Sequence, residues 1–339
     1  MTKFVIFIGI DISKQWFDAV LYWSGLQRPF PTNRFDNNQL GFQRFLLWSK
    51  QQLARHQIKG SWFVCMEHTG IYSLPLALFL EGNNIKVVAE SPLRISRSRG
   101  LQRAKTDPID AADIALYAFE KHLRIKVRPL PNPLLLQVQT LLSLRYRLTR
   151  YKQGLDTAAR ELHGFVDPLI CTSVADYSNA VCTNMQQQLK SIDRQIKQLL
   201  FRDPELKRLY KLVHSVVGIG DVITAYLIVY TNAFTAFEKS RQFSAFIGVA
   251  PFPNRSGSSV NLPDKVSPWA NKRLKALIST AATVAVIHDP QIKAFYLRKK
   301  NEGKADGWIF NAIKNKIINR VFAVVKRGAP YVKLDAHLN

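Results

Sequence analysis

The chain has 339 residues, of which 47% are hydrophobic and 21% are charged, a composition that is ordinary for a globular protein and excludes a disordered one. Its 48 lysines and arginines outnumber 24 acidic residues, which gives a formal net charge of +24. This excess predicts a polyanionic partner, because cations that neutralise phosphates release condensed counterions.

Three further classes of protein are disfavoured. No apolar run approaches the ~20 residues that a membrane-spanning helix needs, so we expect no membrane association. Cys65, Cys171 and Cys182 include no CxxC pair, so neither a disulfide framework nor a zinc site is indicated. Because Asp11 and Lys14 come too early for a signal peptide, we expect a cytoplasmic protein.

Residues 1–128 are predicted to form an α/β domain. Residues 4–10 are a continuous apolar run, which is typical of a strand buried on both faces. Further predicted strands are residues 15–23, 28–35, 61–66 and 85–89, and predicted helices are residues 38–55, 71–81, about 93–101 and 107–122.

A proline-rich break separates this domain from a long helical region. The break is Pro129-Leu-Pro-Asn-Pro133. One helical face after it carries an apolar stripe of Leu189, Ile192, Ile196 and Leu199. We interpret residues 129–202 as a helical linker or dimerisation hairpin, and residues 203–339 as a second compact region.

Four acidic residues lie where metal-dependent phosphoryl transfer would need them. Asp11 and Glu67 each end a predicted strand, whereas Asp107 and Asp110 open a predicted helix. Strand ends and a helix start can converge at one edge of a sheet, where two carboxylates ~4 Å apart repel by about 4 kcal/mol at an effective dielectric constant of ~20. A hard dication relieves this repulsion, and Mg²⁺ prefers oxygen ligands. Singly, each acid has a structural explanation, such as helix capping by Asp107; jointly, they predict a metal site.

Five cations precede the acidic helix start without interleaved acids. They are Arg94, Arg97, Arg99, Arg103 and Lys105. A solvated basic face would explain them, but a track for a phosphate backbone explains them better.

A Gly-x-Gly turn begins the second compact region. In Val217-Gly-Ile-Gly220 the amides of Gly218 and Gly220, followed by a helix, resemble the hairpin of helix-hairpin-helix modules, which holds a backbone phosphate. The glycines are equally consistent with a tight turn alone.

Ser256 stands in a predicted Gly- and Ser-rich loop beside Arg255. A serine hydroxyl is a poor nucleophile unless a base or a metal activates it, and no neighbouring histidine offers that base. The segment from residue 269 to 327 is basic and helical, and it begins with Lys272 and Arg273 as candidate phosphate contacts.

Together these motifs resemble the DEDD transposases of the bacterial insertion-sequence family one-ten, the group guided by a bridge RNA. The resemblance covers nearly the whole chain and rests on Gly9-Ile-Asp11, Glu67-His-Thr-Gly-Ile-Tyr72, Ala104-Lys-Thr-Asp-Pro-Ile-Asp-Ala111, Val217-Gly-Ile-Gly220, Phe246-Ile-Gly-Val-Ala-Pro251, Arg255-Ser-Gly257, Asn271-Lys-Arg-Leu274 and Arg327-Gly-Ala-Pro-Tyr331.

The resemblance implies a RuvC-like domain of the ribonuclease H fold, a coiled-coil-like linker and a mainly α-helical transposase domain with a helix-hairpin-helix-like element. It places Asp11, Glu67, Asp107 and Asp110 around Mg²⁺ and makes Ser256 the nucleophile on a DNA phosphate. It also implies donor and target double-stranded DNA, a structured guide RNA, and homo-dimers or tetramers in which the RuvC-like site of one protomer meets the serine of another. We therefore expect an RNA-guided bacterial recombinase that acts on the nucleoid through a covalent phosphoserine intermediate.

Two alternative functions stay open. A RuvC-like nuclease would hydrolyse branched DNA with metal-activated water and leave Ser256 structural. A non-catalytic relative would bind nucleic acid through its basic face alone. Departures from the family pattern, at Val217, Tyr230-Thr231 and Pro268-Trp-Ala-Asn271, remove none of the proposed catalytic groups.

Overall fold

The computed structural model describes residues 4–23, 25, 29–67, 71–90, 92–98, 107–125, 132–250, 252–256, 260–265 and 270–333. The chain divides into two compact units, Met1–Leu130 and Pro131–Asn339. Each unit has its own hydrophobic clusters.

A five-stranded mixed sheet forms the centre of the first unit. Its strands are β1 (Phe4–Ile12), β2 (Trp16–Trp23), β3 (Asn33–Asp36), β4 (Ser61–Glu67) and β5 (Lys86–Glu90), in the spatial order β3-β2-β1-β4-β5. β2 pairs antiparallel with both β1 and β3, whereas β1 with β4 and β4 with β5 are parallel pairs. Since parallel neighbours require a crossover, a helix separates β4 from β5 along the chain.

Helices cover both faces of this sheet. They are α1 (Gln39–Arg55), α2 (Leu74–Gly82), α3 (Pro92–Ser98) and α4 (Asp107–Lys121). In β1, Ile6, Ile8 and Ile10 join the cluster that contains α1 and α2, whereas Phe7 joins the cluster that contains α4. This alternation explains the unbroken apolar run of β1, because the strand is buried on both faces.

Most of the predicted elements of this unit are confirmed, and one strand is shorter than predicted. The pattern predicts a strand over residues 28–35, but β3 comprises only Asn33–Asp36. Before it, Pro29 forms an isolated bridge with Tyr22. Pro29 and Pro31 have no N–H to donate to a ladder, so regular pairing begins only after them.

The second unit is predominantly helical. Its helices are α5 (Pro133–Glu161), α6 (Pro168–Arg202), α7 (Pro204–His214), α8 (Asp221–Tyr230), α9 (Ser240–Phe246), α10 (Lys272–His288), α11 (Pro290–Asn301) and α12 (Asp306–Arg327). Between α9 and α10, β6 (Phe252–Ser256) and β7 (Val260–Lys265) pair as an antiparallel hairpin.

Four of these helices begin with the same local sequence, Asn or Asp followed by proline. Asn132, Asp167, Asp203 and Asp289 each accept a hydrogen bond at the helix start, at 2.8–2.9 Å, and a proline follows each of them at the first helical position. Such residues satisfy a backbone donor that the helix leaves unpaired, and proline has no donor there to lose.

The helices α5 and α6 form a hairpin whose base lies in the core of the second unit. Leu142 of α5 and Ile196 of α6 belong to the same buried cluster as Ile278 of α10 and Ile317 of α12. The boundary predicted at residue 202 therefore lies within a continuous core.

None of the described helices contains a stretch with both the length and the apolar character that a membrane span requires.

Gly9 allows α4 to lie directly on β1. A Cβ atom at Gly9 would lie 2.1 Å from the carbonyl oxygen of Ala111 and 2.2 Å from the backbone nitrogen of Ala115. Backbone atoms cannot yield as the end of a side chain can, so any side chain at residue 9 forces the helix and the strand apart.

We predict that Gly9→Ala destabilises the protein by about 1–3 kcal/mol, the usual cost of overpacking. Urea unfolding followed by tryptophan fluorescence measures this loss. Gly82→Ala is the matched control, because a Cβ atom at Gly82 would have nothing within 4 Å. Equal stability of the two variants would contradict the close approach of α4 to β1.

Candidate active site

Carboxylates on four neighbouring strands lie in a row at one edge of the sheet, which we call the acidic edge: Asp18, Asp11, Glu67 and Glu90. Asp11 pairs with Asp18 across β1 and β2, and Glu67 pairs with Glu90 across β4 and β5. Ile10 of β1 pairs with Met66 of β4, so the next residues, Asp11 and Glu67, are also neighbours. Strand register thus brings together two of the predicted acids and adds two that were not predicted.

All four carboxylates lie on the face of the sheet that α4 covers. The residues two positions away along each strand are Val20, Gly9, Cys65 and Val88. Val20, Cys65 and Val88 belong to the α4 cluster, and Gly9 touches the α4 backbone. Since side chains two residues apart share a face of a strand, the acidic edge faces α4.

The start of α4 lies level with Asp11. Phe7 contacts the rings of Phe119 and His122, with centroid distances of 5.4 Å and 4.9 Å, whereas Gly9 contacts Ala111. The helix therefore runs antiparallel to β1, and Asp11 lies towards its first turn. That turn carries Asp110, which is buried with 8% exposure.

Asp107 begins α4, but its side chain lies outside the described part of the structure. Among the described residues, no three His, Cys, Asp or Glu side chains are close enough to form a metal site. The backbone therefore places Asp11 beside Glu67 and turns the start of α4 towards Asp11, but the described side chains of Asp11, Glu67 and Asp110 do not come together as a metal site.

Glu90 is the acid that sequence reasoning missed. It is buried with 7% exposure, accepts a hydrogen bond from the Tyr117 hydroxyl at 3.3 Å, and forms an ion pair with Arg94 at 3.5 Å. Burial, and then the charge of Glu90, raise the pKa of Tyr117 to about 12, so the phenol keeps its proton and its role as donor. Glu90 follows an apolar strand directly, as Asp11 and Glu67 do, and this repeated pattern was the signal for it.

Asp18, the second unpredicted acid, is neutralised by Arg34. It is 3% exposed, and Arg34 donates to both of its carboxylate oxygens, at 2.9 Å from Nε and 2.7 Å from Nη2. The guanidinium also lies 5.0 Å from the ring centroid of Trp16. Bidentate pairs of this kind are strong and fix geometry, so Asp18 has a structural role.

The predicted basic track is described at only one of its side chains. Arg94 lies on α3, has 68% of its side chain exposed, and forms an ion pair with Glu90. The side chain of Arg97 lies outside the described part of the structure, as do Arg99, Arg103 and Lys105 entirely.

The Gly-x-Gly turn joins α7 to α8, and each glycine has a different environment. Gly218 has a φ of +91°, and a Cβ atom there would lie 2.4 Å from the carbonyl oxygen of Ala281 on α10. Close packing therefore accounts for Gly218. Gly220 caps α8, and a Cβ atom there would have nothing within 4 Å.

A carboxylate already occupies the N-terminus of α8. Asp221 accepts a hydrogen bond from Tyr210, lies 2.9 Å from Nε2 of His214 and 3.6 Å from Nζ of Lys197. Helix N-termini favour an anion, and here the chain supplies its own. The predicted phosphate contact at Gly218 and Gly220 would have to compete with this side chain.

Ser256 is the last residue of β6, where it pairs with Val260 of β7; Arg255 pairs with Asn261. The prediction of a loop is therefore wrong for Ser256 itself, because pairing with β7 extends the strand to this residue. The side chains of Arg255 and Ser256 lie outside the described part of the structure.

Lys272 and Arg273 differ although they are adjacent at the start of α10. Lys272 is exposed. The guanidinium of Arg273 lies 4.2 Å from the ring centroid of Tyr146 and 5.5 Å from that of Tyr226. Cation–π contacts of this kind hold Arg273 against α5 and α8.

Comparison with known proteins gives matches in both units. Residues 8–162 match a family model described as "Transposase", that of the DEDD transposases of IS110, and residues 210–297 match a model described as "Transposase IS116/IS110/IS902 family". The pilin gene-inverting proteins of Moraxella bovis and Moraxella lacunata are each 26% identical over 331 residues, which is 96% of this chain and 98% of theirs. An uncharacterized 43.6 kDa protein of insertion element IS110 from Streptomyces coelicolor is 25% identical over 149 residues, 44% of this chain and 36% of its own.

We predict that Tyr117→Phe lowers the free energy of unfolding by about 1 kcal/mol, because the buried carboxylate of Glu90 loses a hydrogen-bond donor. Denaturant unfolding measures the change. Tyr177→Phe is the control, since Tyr177 is 79% exposed on α6 and its substitution should leave stability unchanged. A loss of the same size in both variants would contradict a specific role for the Tyr117–Glu90 hydrogen bond.

Proposed function

We propose that the chain is a transposase of the IS116/IS110/IS902 family, and that it cleaves and exchanges DNA strands in an RNA-guided, Mg²⁺-dependent recombination that moves or inverts a DNA segment. The acidic edge is the observation that carries the proposal, because strand register places Asp11 beside Glu67 and α4 brings Asp110 to the same end of the sheet.

The strand order of the first unit supports a ribonuclease H-like, RuvC-like domain. In the strand order β3-β2-β1-β4-β5, β1 pairs antiparallel with β2 on one side and parallel with β4 on the other. In this arrangement the carboxyl ends of β1, β4 and β5 share the edge that carries Asp11, Glu67 and Glu90.

The proposed metal ligands are all carboxylates, the donor type that suits a hard dication. Asp11, Glu67, Asp107 and Asp110 would hold it, since carboxylate oxygens are the ligands that Mg²⁺ favours. When bound, the metal would polarise the scissile phosphate and stabilise the departing oxygen. Glu90 and Asp18 have protein partners at the same edge, so they fix the surrounding strands.

Ser256 is the proposed nucleophile in the second unit. Its Oγ would bond to the phosphorus of a DNA phosphodiester as the bond from that phosphorus to a deoxyribose oxygen breaks. The hydroxyl proton would leave Oγ, and the departing oxygen would gain a proton. The ester conserves the energy of the broken bond, so that a second DNA hydroxyl can reverse the step with a new partner strand.

Nucleic-acid partners and self-association follow from the same proposal. Donor and target double-stranded DNA would be paired by a structured guide RNA, and the net charge of +24 suits both polyanions.

Homo-dimers or tetramers would bring a serine to an acidic edge. Large apolar side chains near the tip of the α5–α6 hairpin, Phe165 at 90% exposure and Leu169 at 80%, support an interaction surface there. In a bacterium the protein would act on the nucleoid in the cytoplasm.

A hydrolytic nuclease is the second candidate. The observation that favours it is that all four acids of the proposed metal site lie in the first unit, whereas Ser256 lies in the second. The acids alone would then direct water at branched DNA, and Ser256 would be structural.

We predict that Mg²⁺ stabilises the wild-type protein and has no such effect on Asp11→Asn or Glu67→Gln. Binding to the folded state alone adds about 1.4 kcal/mol when free Mg²⁺ is ten times its Kd. Thermal unfolding with and without MgCl₂ measures this, with the exposed Asp176 of α6 providing the control Asp176→Asn. An equal Mg²⁺ effect in all proteins would place the metal elsewhere.

We predict that Ser256→Ala abolishes a covalent protein–DNA band. The protein would be co-purified with RNA from the flanks of its own element, incubated with Mg²⁺ and labelled donor and target DNA, and resolved under denaturing conditions. Strand cleavage that survives in Ser256→Ala would establish the hydrolytic nuclease instead. Asp11→Asn is the companion variant: unchanged binding with lost cleavage excludes a protein that only binds nucleic acid.

A further inference from the structure

A rigid turn precedes the hairpin that carries Ser256. The turn, residues 246–250, is held by two helices: the backbone N–H of Asn271 on α10 donates to the carbonyl of Phe246 at 3.0 Å, and Nδ2 of Asn311 and of Asn315 on α12 donate to the carbonyl of Val249 at 2.9 Å and 3.3 Å. β6 begins two residues after the turn. The root of the hairpin is therefore fixed to α10 and α12.

Two lysines lie on the faces of α10 and α12 that hold this turn. Lys275 is one helical turn beyond Asn271, and Lys314 lies between Asn311 and Asn315. Residues three or four apart share a helix face, so Lys314 is on the same side of α12 as Asn311, whose side chain binds the turn. Lys275 is on the same side of α10 as Asn271, which binds the turn through its backbone N–H. The two helices pack together, with Leu274 and Ile313 in one core cluster.

The two lysines repel each other. Burial, and then the charge of Lys275, lower the pKa of Lys314. Some other cations of α11 and α12 have acidic partners: Lys299 with Glu302, Lys300 with Asp306 and Arg320 with Asp289. Within the described part of the chain, neither Lys275 nor Lys314 forms an ion pair with an acid. A half-buried pair of like charges costs stability unless an anion joins it.

We infer that Lys275 and Lys314 together bind one phosphate of the DNA backbone, next to the turn from which the serine hairpin departs. This inference rests on the proposed function in taking DNA as the ligand. The phosphate neutralises both ammonium groups and fixes the DNA strand against the root of the hairpin. The site positions the DNA strand.

DNA binding at varied salt concentration tests the site. A labelled duplex of about 20 base pairs is titrated with Ser256→Ala protein in EDTA, so that neither cleavage nor metal contributes. Adding Lys275→Gln and Lys314→Gln together should lower affinity about eightfold at 0.1 M salt and reduce the slope of log K against log salt by ~0.9, the loss of one phosphate contact. The matched control removes two acid-paired cations of α11, Lys299→Gln with Lys300→Gln, and should leave the slope unchanged.

Several results would overturn the inference. If the double variant has the same slope of log K against log salt as the control, the two lysines bind no phosphate. A slope reduced by ~1.8 means that the lysines bind two separate phosphates. If the variant loses affinity for an RNA duplex but not for the DNA duplex, the site binds RNA. Thermal unfolding gives an independent check, because Lys314→Gln alone should match or exceed the stability of its parent once the repulsion is gone. A covalent band that needs Ser256 alongside an unchanged slope would reject this site and leave the proposed reaction intact. A reduced slope without a covalent band would support this site and reject the proposed reaction.

Discussion

The contact between α4 and β1 is the constraint on which the acidic edge depends. Gly9 has no side chain, so the backbone of Ala111 and Ala115 can lie against the strand where a Cβ atom would collide. Because the helix runs antiparallel to β1, this single contact sets the level of its first turn beside Asp11. The same packing buries Asp110, and it is possible only because residue 9 has no side chain. A change of one atom at residue 9 is therefore expected to act on a site two residues away.

Charge is distributed in three ways across this strongly basic chain. Some acids are fully engaged by protein groups, as Asp18 is by Arg34 and Glu90 is by Tyr117 and Arg94. These pairs hold the strands that carry the proposed metal ligands. Elsewhere, a cation is used for packing, as Arg273 is between Tyr146 and Tyr226. Lys275 and Lys314 represent the third use: the charge of Lys275 contributes to the lowered pKa of Lys314, and neither forms an ion pair with an acid among the described residues. An anion from outside is their proposed partner.

The division of chemistry between the two units explains why neither half of the chain suffices for the proposed reaction. The carboxylates belong to the first unit and Ser256 to the second. A hydroxyl gains little nucleophilicity from its own surroundings when no base is adjacent, whereas a metal held by carboxylates can activate the phosphate that it attacks. One family model matches residues 8–162, across the boundary between the two units, and the other matches residues 210–297 in the second unit. Pilin gene-inverting proteins align along almost its whole length, which is consistent with a reaction that uses both units.

The sequence by itself determined the features that depend on near neighbours. Apolar periodicity was enough for most strands and helices of the first unit, and an Asn or Asp before proline marks the start of four helices of the second. The four predicted acids were recognised because each ends a strand or opens a helix. The tertiary structure alone decided what depends on distant pairing: the row that aligns Glu90 with Glu67, the neutralisation of Asp18, the extension of β6 to Ser256 and the stacking of Arg273. Strand register and helix packing bring together residues that are far apart in the chain. The sequence around one residue does not specify which distant segment will pack against that residue.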